Sequence, residues 1–236
     1  MSTILSVKNL HVAFGNRIAI PNLSFDVNAG DSLAIIGPNG SGKTVLLRAL
    51  LKLVPYSGEI RWREEIRLGY VPQNVAADRQ LPLRVKDLLE AKARFLKLRS
   101  PELNAVTSDL GLSAEMLDAS LGTLSGGQFQ KVLIAFAMLG NPNVLLFDEP
   151  TASLDELTEE RVYESLHLLQ KERGFTVILV SHDLSVVYRY ATMVLCLSKT
   201  SPCMGAPKEV LTPETLEELY SAPAKYYQHV HNHPKE

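Results

Sequence analysis

The stretch Gly37-Pro38-Asn39-Gly40-Ser41-Gly42-Lys43-Thr44 constrains the fold more than any other part of the chain. It follows the apolar run Ser32 to Ile36 and precedes Leu46, Leu47, Leu50 and Leu51, which recur at helical spacing until Pro55 ends the run. A glycine-rich loop between a buried strand and a helix can turn successive backbone N–H groups inward, and the helix adds the positive end of its dipole. Phosphate oxygens fit such a cradle. Lys43 then supplies a point charge between β- and γ-phosphates, and the Thr44 hydroxyl can ligate Mg²⁺. A bare strand-to-helix turn would leave both side chains unexplained.

The rest of the chain supports an α/β reading. Short apolar runs at Ile4 to Leu10, Leu23 to Val27 and Ser32 to Ile36 suggest a strand-rich N-terminal layer, and Glu59 to Trp62 and Arg67 to Val71 read as further strands. From about Pro82 to Asp118, Lys, Arg, Glu, Leu and Ala take over, as in short amphipathic helices inserted into the main fold. Beyond it, strand signals at Val144 to Phe147, Thr176 to Val180 and Met193 to Leu197 alternate with helix signals at Gly126 to Leu139, Glu159 to Lys171 and Leu184 to Tyr190. That alternation predicts a parallel sheet covered on both faces. Pro213 opens a last expected helix through Tyr220, followed by a loose tail.

Composition excludes several classes. With 46% apolar and 21% charged residues the chain is globular, and a net charge of −2 provides no global nucleic-acid footprint. No apolar run approaches the ~20 residues of a membrane-crossing helix, so a membrane role must come through a partner. Met1-Ser2-Thr3-Ile4 carries no leader pattern, which predicts a cytosolic chain. Two cysteines, Cys196 and Cys203, are too few for a disulfide framework and are expected as reduced thiols.

A second acidic element narrows the chemistry. Leu145, Leu146 and Phe147 lead into Asp148-Glu149 at the edge where a parallel sheet presents ligands, so Asp148 can hold Mg²⁺ and Glu149 can polarise an attacking water. Upstream, Leu124-Ser125-Gly126-Gly127-Gln128 places a helix N-cap serine before two glycines, a second anion-binding helix end. With these motifs together, the chain resembles the ATP-binding subunits of ABC transporters from Leu5 to about Tyr220. The resemblance implies a P-loop NTPase fold of the ABC ATPase type. It would have a mixed, largely parallel core sheet, an N-terminal antiparallel β layer and an inserted helical subdomain. The expected domain is 1–222, with RecA-like core segments 1–80 and 141–222, a helical subdomain at about 81–140, and a tail at 223–236.

The resemblance also assigns roles. Phe14 stands where the family stacks an aromatic ring on adenine, and Gln73 in Tyr70-Val71-Pro72-Gln73 matches a glutamine that reaches Mg²⁺ and water. Asp155 in Ser153-Leu154-Asp155 matches a loop that touches the opposing copy, and His182 in Val180-Ser181-His182-Asp183 matches a γ-phosphate contact. Catalysis would rest on Glu149, His182, Gln73 and Lys43, and Mg²⁺ on Thr44, Gln73 and Asp148. ATP would lie on Phe14, on Gly37 to Val45, and on Ser125, Gly126, Gly127, Gln128 and Asp155. Val45 departs from a common second hydroxyl residue, leaving only its amide for phosphate, and Phe14 lacks a tyrosine hydroxyl. Two copies would close head to tail on ATP, at the cytoplasmic face of the membrane, and drive a separate integral membrane permease.

The stretches Leu124 to Ala135 and Ser181 to Tyr190 are similar to the zinc and manganese importer branch, which also implies an extracytoplasmic metal-capturing protein. His229, His231 and His233 alternate as in a metal-binding tract, with a solvated terminus as the equal alternative. A soluble ABC ATPase acting on ribosomes or DNA is the rival reading. Against it stand the single cassette, the missing heptads and the missing basic surplus.

Overall fold

Two apolar patterns build two kinds of sheet. The computed structural model describes residues 2–73, 83–149, 156–198 and 202–220. Strands β1 (Thr3–Phe14) and β2 (Arg17–Asn28) are followed by β3 (Ser32–Ile36), α1 (Lys43–Leu50), β4 (Ser57–Trp62) and β5 (Leu68–Val71). Helices α2 (Val85–Phe95), α3 (Ser100–Asp109), α4 (Ala114–Asp118) and α5 (Gly126–Met138) come next. Then follow β6 (Val144–Asp148), α6 (Glu156–Arg173), β7 (Thr176–Val180), α7 (Leu184–Tyr190), β8 (Met193–Cys196), β9 (Cys203–Gly205), α8 (Pro207–Val210) and α9 (Pro213–Tyr220).

In β2, buried Leu23, Phe25 and Val27 alternate with exposed neighbours, the mark of a strand with one wet face. It joins β1 and β4 in an antiparallel sheet of order β2-β1-β4. Every residue of β3, β6 and β7 is buried, as a sheet covered on both faces requires. These strands form the middle of a second sheet, ordered β5-β6-β7-β3-β8-β9 and parallel except for β9.

Side-chain alternation divides the core. Val144, Leu146 and Ile178 pack with Leu46, Leu47 and Leu50 of α1 and with Val7 and Leu10 of β1. Leu145, Phe147 and Val177 face the other way, toward Val132 of α5, Val162 and Leu166 of α6, and Val85 and Leu89 of α2. Each α1 leucine so buried contributes about 1.5–3 kcal/mol, which holds the helix carrying Lys43 flat against the sheet. Trp62 adds a polar tie, its Nε1–H donating to the Leu50 carbonyl at 3.1 Å.

The structure departs from the sequence expectation at three places. Ser32 to Ile36, expected in the N-terminal layer, is β3 in the middle of the parallel sheet, since a run buried at every residue needs cover on both faces. β9 and α8 were not foreseen, because three- and four-residue elements carry no periodicity. Cys196 and Cys203, expected as reduced thiols, are cross-strand partners in β8 and β9 and form a disulfide with Cα atoms 4.9 Å apart. Cysteine counting misses this pairing because it is the hairpin register, not the number of thiols, that brings them together.

Candidate functional site

The site grows from the carboxyl ends of four adjacent strands, β5, β6, β7 and β3, which follow one another in the sheet. Gln73 lies two residues past β5, Asp148 ends β6 with Glu149 next, His182 lies two residues past β7, and the loop before α1 follows β3. Register keeps these ends level, with Val180 beside both Asp148 and Ile35. Residues more than a hundred positions apart thus meet on one edge.

At Gly42, the N-cap of α1, φ is 102°, and a Cβ there would lie 2.9 Å from the Ala19 carbonyl oxygen, so only glycine fits. No side chain caps the helix and no acidic residue occupies its first turn. Its leading N–H groups keep their affinity for an anion. Lys43 is 6% exposed and its Nζ donates to the carbonyls of Gly37 at 2.9 Å and Pro38 at 3.2 Å. Among the described residues, the Ser41 hydroxyl is buried without a hydrogen-bond partner. A buried orphan hydroxyl, backbone donors and an ammonium together make a cradle for phosphate.

Two carboxylates complete the cluster. The Thr44 hydroxyl donates to Asp148 Oδ1 at 3.0 Å, and the Tyr70 hydroxyl approaches Oδ2 at 3.5 Å. Burial pushes the Asp148 carboxyl above its usual range, against the Thr44 hydrogen bond that favours the ion. Burial likewise lowers Lys43, opposed by the charges of Glu149 and Asp148. Both ions are held at a desolvation cost that a bound phosphate and a divalent cation would relieve.

Glu149 is the hub. Lys43 Nζ lies 3.7 Å from its Oε1, His182 Nε2 pairs with the same oxygen, and Gln73 Nε2 donates to Oε2 at 2.5 Å. Its backbone has φ 47°, a left-handed conformation rare for a non-glycine residue, while its N–H donates to the Val180 carbonyl at 3.2 Å. Such strain, about 1–3 kcal/mol, persists where surrounding contacts fix it and is concentrated at functional sites. A carboxylate anchored on both oxygens beside a phosphate cradle can accept a proton from water.

Thr44, Asp148 and Gln73 offer hydroxyl, carboxylate and amide oxygens, the hard donor set that suits Mg²⁺. Among the described residues, no group of three or more His, Cys, Asp or Glu side chains could hold a metal ion on its own. A cation here would therefore draw on phosphate and water as well.

The remaining expected residues lie apart from this cluster. Phe14, at the end of β1, is 46% exposed and open to stacking. Ser125 caps α5 reciprocally with Gln128: the Ser125 hydroxyl accepts from the Gln128 N–H at 3.3 Å, and Gln128 Oε1 accepts from the Ser125 N–H at 2.9 Å. A Cβ on Gly127 would lie 2.4 Å from Thr158 Cγ2, so this glycine is required for close packing on α6. Among the described residues, neither Phe14 nor Ser125 to Gln128 makes a hydrogen bond or ion pair with the Lys43–Glu149 cluster. Val45 packs with the α1 core. Asp155 and His229, His231 and His233 lie outside the described residues. Tyr70, which sequence reasoning missed, could have been suspected from its place three residues before Gln73 on a strand neighbouring Asp148.

Residues 20–152 match the family model for the ABC transporter. The chain is 36% identical to the zinc import ATP-binding protein ZnuC of Rickettsia conorii, over 98% of this chain and 97% of that relative. It is 37% identical to ZnuC of Yersinia enterocolitica, over 99% of this chain and 93% of the other. A solved metal-chelate type ABC transporter in an inward-facing conformation superposes with a TM-score of 0.85 at 29% identity, covering 94% of this chain and 90% of its own. No helix among the described residues is long and apolar enough to cross a membrane. With a phosphate cradle, a paired acidic strand end and these full-length relatives, the chain belongs to the ABC transporter family, as an ATP-binding subunit of the ATPase type.

Proposed function

We propose that this chain hydrolyses ATP to drive a separate membrane permease that moves a divalent metal ion, zinc or manganese. The observation that carries the chemistry is the convergence of Lys43, Gln73 and His182 on Glu149, beside the Thr44–Asp148 pair. The cargo reading rests on the similarity to zinc import ATP-binding proteins and to a metal-chelate transporter.

In this reading the loop Gly37 to Val45 binds the phosphates through its N–H groups, and Lys43 turns its ammonium from the Gly37 and Pro38 carbonyls to the β,γ-oxygens. Thr44, Asp148 and Gln73 hold Mg²⁺, which when bound neutralises charge on the phosphate oxygens. Glu149 orients and deprotonates the attacking water, and His182, hydrogen-bonded to Glu149, fixes the carboxylate and faces the γ-phosphate. Phe14 stacks on the adenine. Positioning and charge account for most of the acceleration in phosphoryl transfer.

Ser125, Gly126, Gly127, Gln128 and Asp155 act on the nucleotide of a second copy, so two chains close head to tail and neither works alone. The domain at 1–222 divides into the core segments 1–80 and 141–222 and a helical subdomain at about 81–140. The latter receives the permease at the cytoplasmic face of the membrane. An extracytoplasmic metal-binding protein delivers the cargo, and the histidines at 229, 231 and 233 are candidate metal ligands in the tail.

Glu149→Gln tests the chemistry. Steady-state ATP turnover is expected to fall by about 100- to 1,000-fold, with ATP retained in a dimer visible by size-exclusion chromatography. Unchanged turnover would remove Glu149 from the reaction. Co-purification in mild detergent tests the partner, and a polytopic membrane protein whose metal uptake fails with Glu149→Gln is the expected result.

A further inference from the structure

The disulfide between Cys196 and Cys203 plays no part in the chemistry above, yet it lies against the phosphate loop. Cys196 ends β8 directly beside Ile36, the last residue of β3. The next residue, Leu197, donates its N–H to the Ile36 carbonyl at 2.8 Å, and its own carbonyl oxygen would lie 2.5 Å from a Cβ on Gly37. Gly37 in turn supplies the carbonyl that receives Lys43 Nζ. The main chain leaving Cys196 therefore forms the wall against which the loop begins.

On its outer side that wall is backed by β9 and by Val210, Leu211, Leu216 and Leu219, which share a buried cluster with Cys196. β9 is a three-residue edge strand joined to β8 through Val194–Gly205, Leu195–Met204 and Cys196–Cys203. Cys203 is half-buried on this edge, whereas Cys196 is 1% exposed. One thiol can thus meet a small reagent while its partner waits behind it, the arrangement of an attacking and a resolving cysteine.

We propose that Cys196 and Cys203 are a reversible oxidation site, with a small-molecule disulfide of the glutathione class as reaction partner, whose state sets how firmly the phosphate loop is held. In the forward direction the Cys203 thiolate attacks the small disulfide, one sulfur of which leaves as a thiolate that takes up a proton. The Cys196 thiol, losing its proton, attacks Cys203 Sγ in the mixed disulfide and releases the second small thiol. Two protein thiols are oxidised and one small disulfide is reduced to two thiols, with no other reactant. The bond ties β9 to β8 and stiffens the wall behind Gly37; reduction frees a short edge strand and loosens it. Reversibility, though not the chemistry, rests on the cytoplasmic placement proposed above, where disulfides are transient and redox-sensing.

The full chain, equilibrated in buffers of oxidised or reduced glutathione, provides the test, with intact mass and MgATP affinity read together. The oxidised sample is expected to be lighter by two hydrogens and to bind MgATP about three- to tenfold more tightly, the gain of a pre-organised site. Cys203→Ser is expected to bind as the reduced protein does in both buffers; should it fold poorly, the reduced wild type serves as its own comparison. A bond that never forms, or one that survives the reduced buffer, overturns the proposal. So does equal MgATP affinity in the two states, or a redox response that persists in Cys203→Ser. Absence of MgATP binding in both states would overturn the nucleotide site itself and be told apart by that.

Discussion

Two glycine-rich helix N-termini among the described residues, those of α1 and α5, are finished in opposite ways. At α1 the cap is Gly42, no side chain satisfies the leading N–H groups, and Lys43 and Asp148 beside it are buried. At α5 the cap is Ser125, reciprocally bonded to Gln128, and both side chains are exposed. The first end is incomplete until something negative occupies it, so the chain stores unmet polar demand there. The second is locally satisfied and stable on its own, and offers its remaining donors outward. A helix end that meets its own needs can wait for a ligand brought by another copy, whereas one that does not must be built around its ligand.

This contrast breaks first at Lys43. Lys43→Ala is expected to weaken MgATP binding by dilute protein by about 30- to 100-fold, the loss of a charge-assisted contact to phosphate. Ser125→Ala is expected to leave the same dilute affinity within about twofold, because the residue makes no contact with that cluster. Equilibrium titration with a fluorescent nucleotide checks both. An equal loss in the two variants would mean that α5 serves the nucleotide of its own chain.

The next effect is on stability and lies at α5. Gly127→Ala drives a Cβ to 2.4 Å from Thr158 Cγ2, a clash expected to cost about 1–3 kcal/mol in denaturant unfolding. Thr158→Ser removes that methyl group and keeps the hydroxyl, so the double variant is expected to recover most of the loss. Without recovery, Gly127 would be required for its backbone or for a partner rather than for packing on α6. Ser125→Ala ranks lower, at about 1 kcal/mol for a lost cap. It sharpens the comparison, since no equivalent substitution exists at Gly42, whose cap has no side chain.

The same contrast explains what was legible in the sequence. Ser32 to Ile36, Val144 to Phe147 and Thr176 to Val180 are unbroken apolar runs, and all became buried strands with their chemistry at the carboxyl end. Lys43, Thr44, Asp148 and Glu149 could be named because each follows such a strand, whereas Gln73 and His182 were named only through the resemblance to the family. That Glu149 would be contacted by Lys43, Gln73 and His182 could not be read, because it depends on the order β5-β6-β7-β3, which no local pattern encodes. Tyr70 was missed for the same reason, and the Cys196–Cys203 bond because β9 is too short to announce its register.

The smallest expected effect is a gain, and it concerns the cost of an unfinished site. Burial raises the Asp148 carboxyl above the ordinary 3.8, so the folded chain holds that proton more tightly than the unfolded one does. The resulting stabilisation is full below the unfolded value and is lost as pH rises through the folded one. Near neutrality the ionised carboxylate is therefore a burden on the nucleotide-free protein. Asp148→Asn removes the charge and keeps the shape, while Lys43 retains Glu149 at 3.7 Å as a counter-charge. Without nucleotide the variant is expected to melt about 1–4 °C above the wild type at neutral pH, a gain of about 0.5–1 kcal/mol. The gap is expected to narrow as pH falls through the raised value of the folded carboxyl, below which both side chains are neutral. Adding MgATP is expected to reverse the order, because a cation repays the wild-type carboxylate and not the amide. Melting followed by circular dichroism across that pH range, with and without MgATP, reads all three outcomes. A wild type that is already the more stable at neutral pH without nucleotide would mean that Thr44 and Tyr70 outweigh burial, and that the α1 end is as self-sufficient as the α5 end.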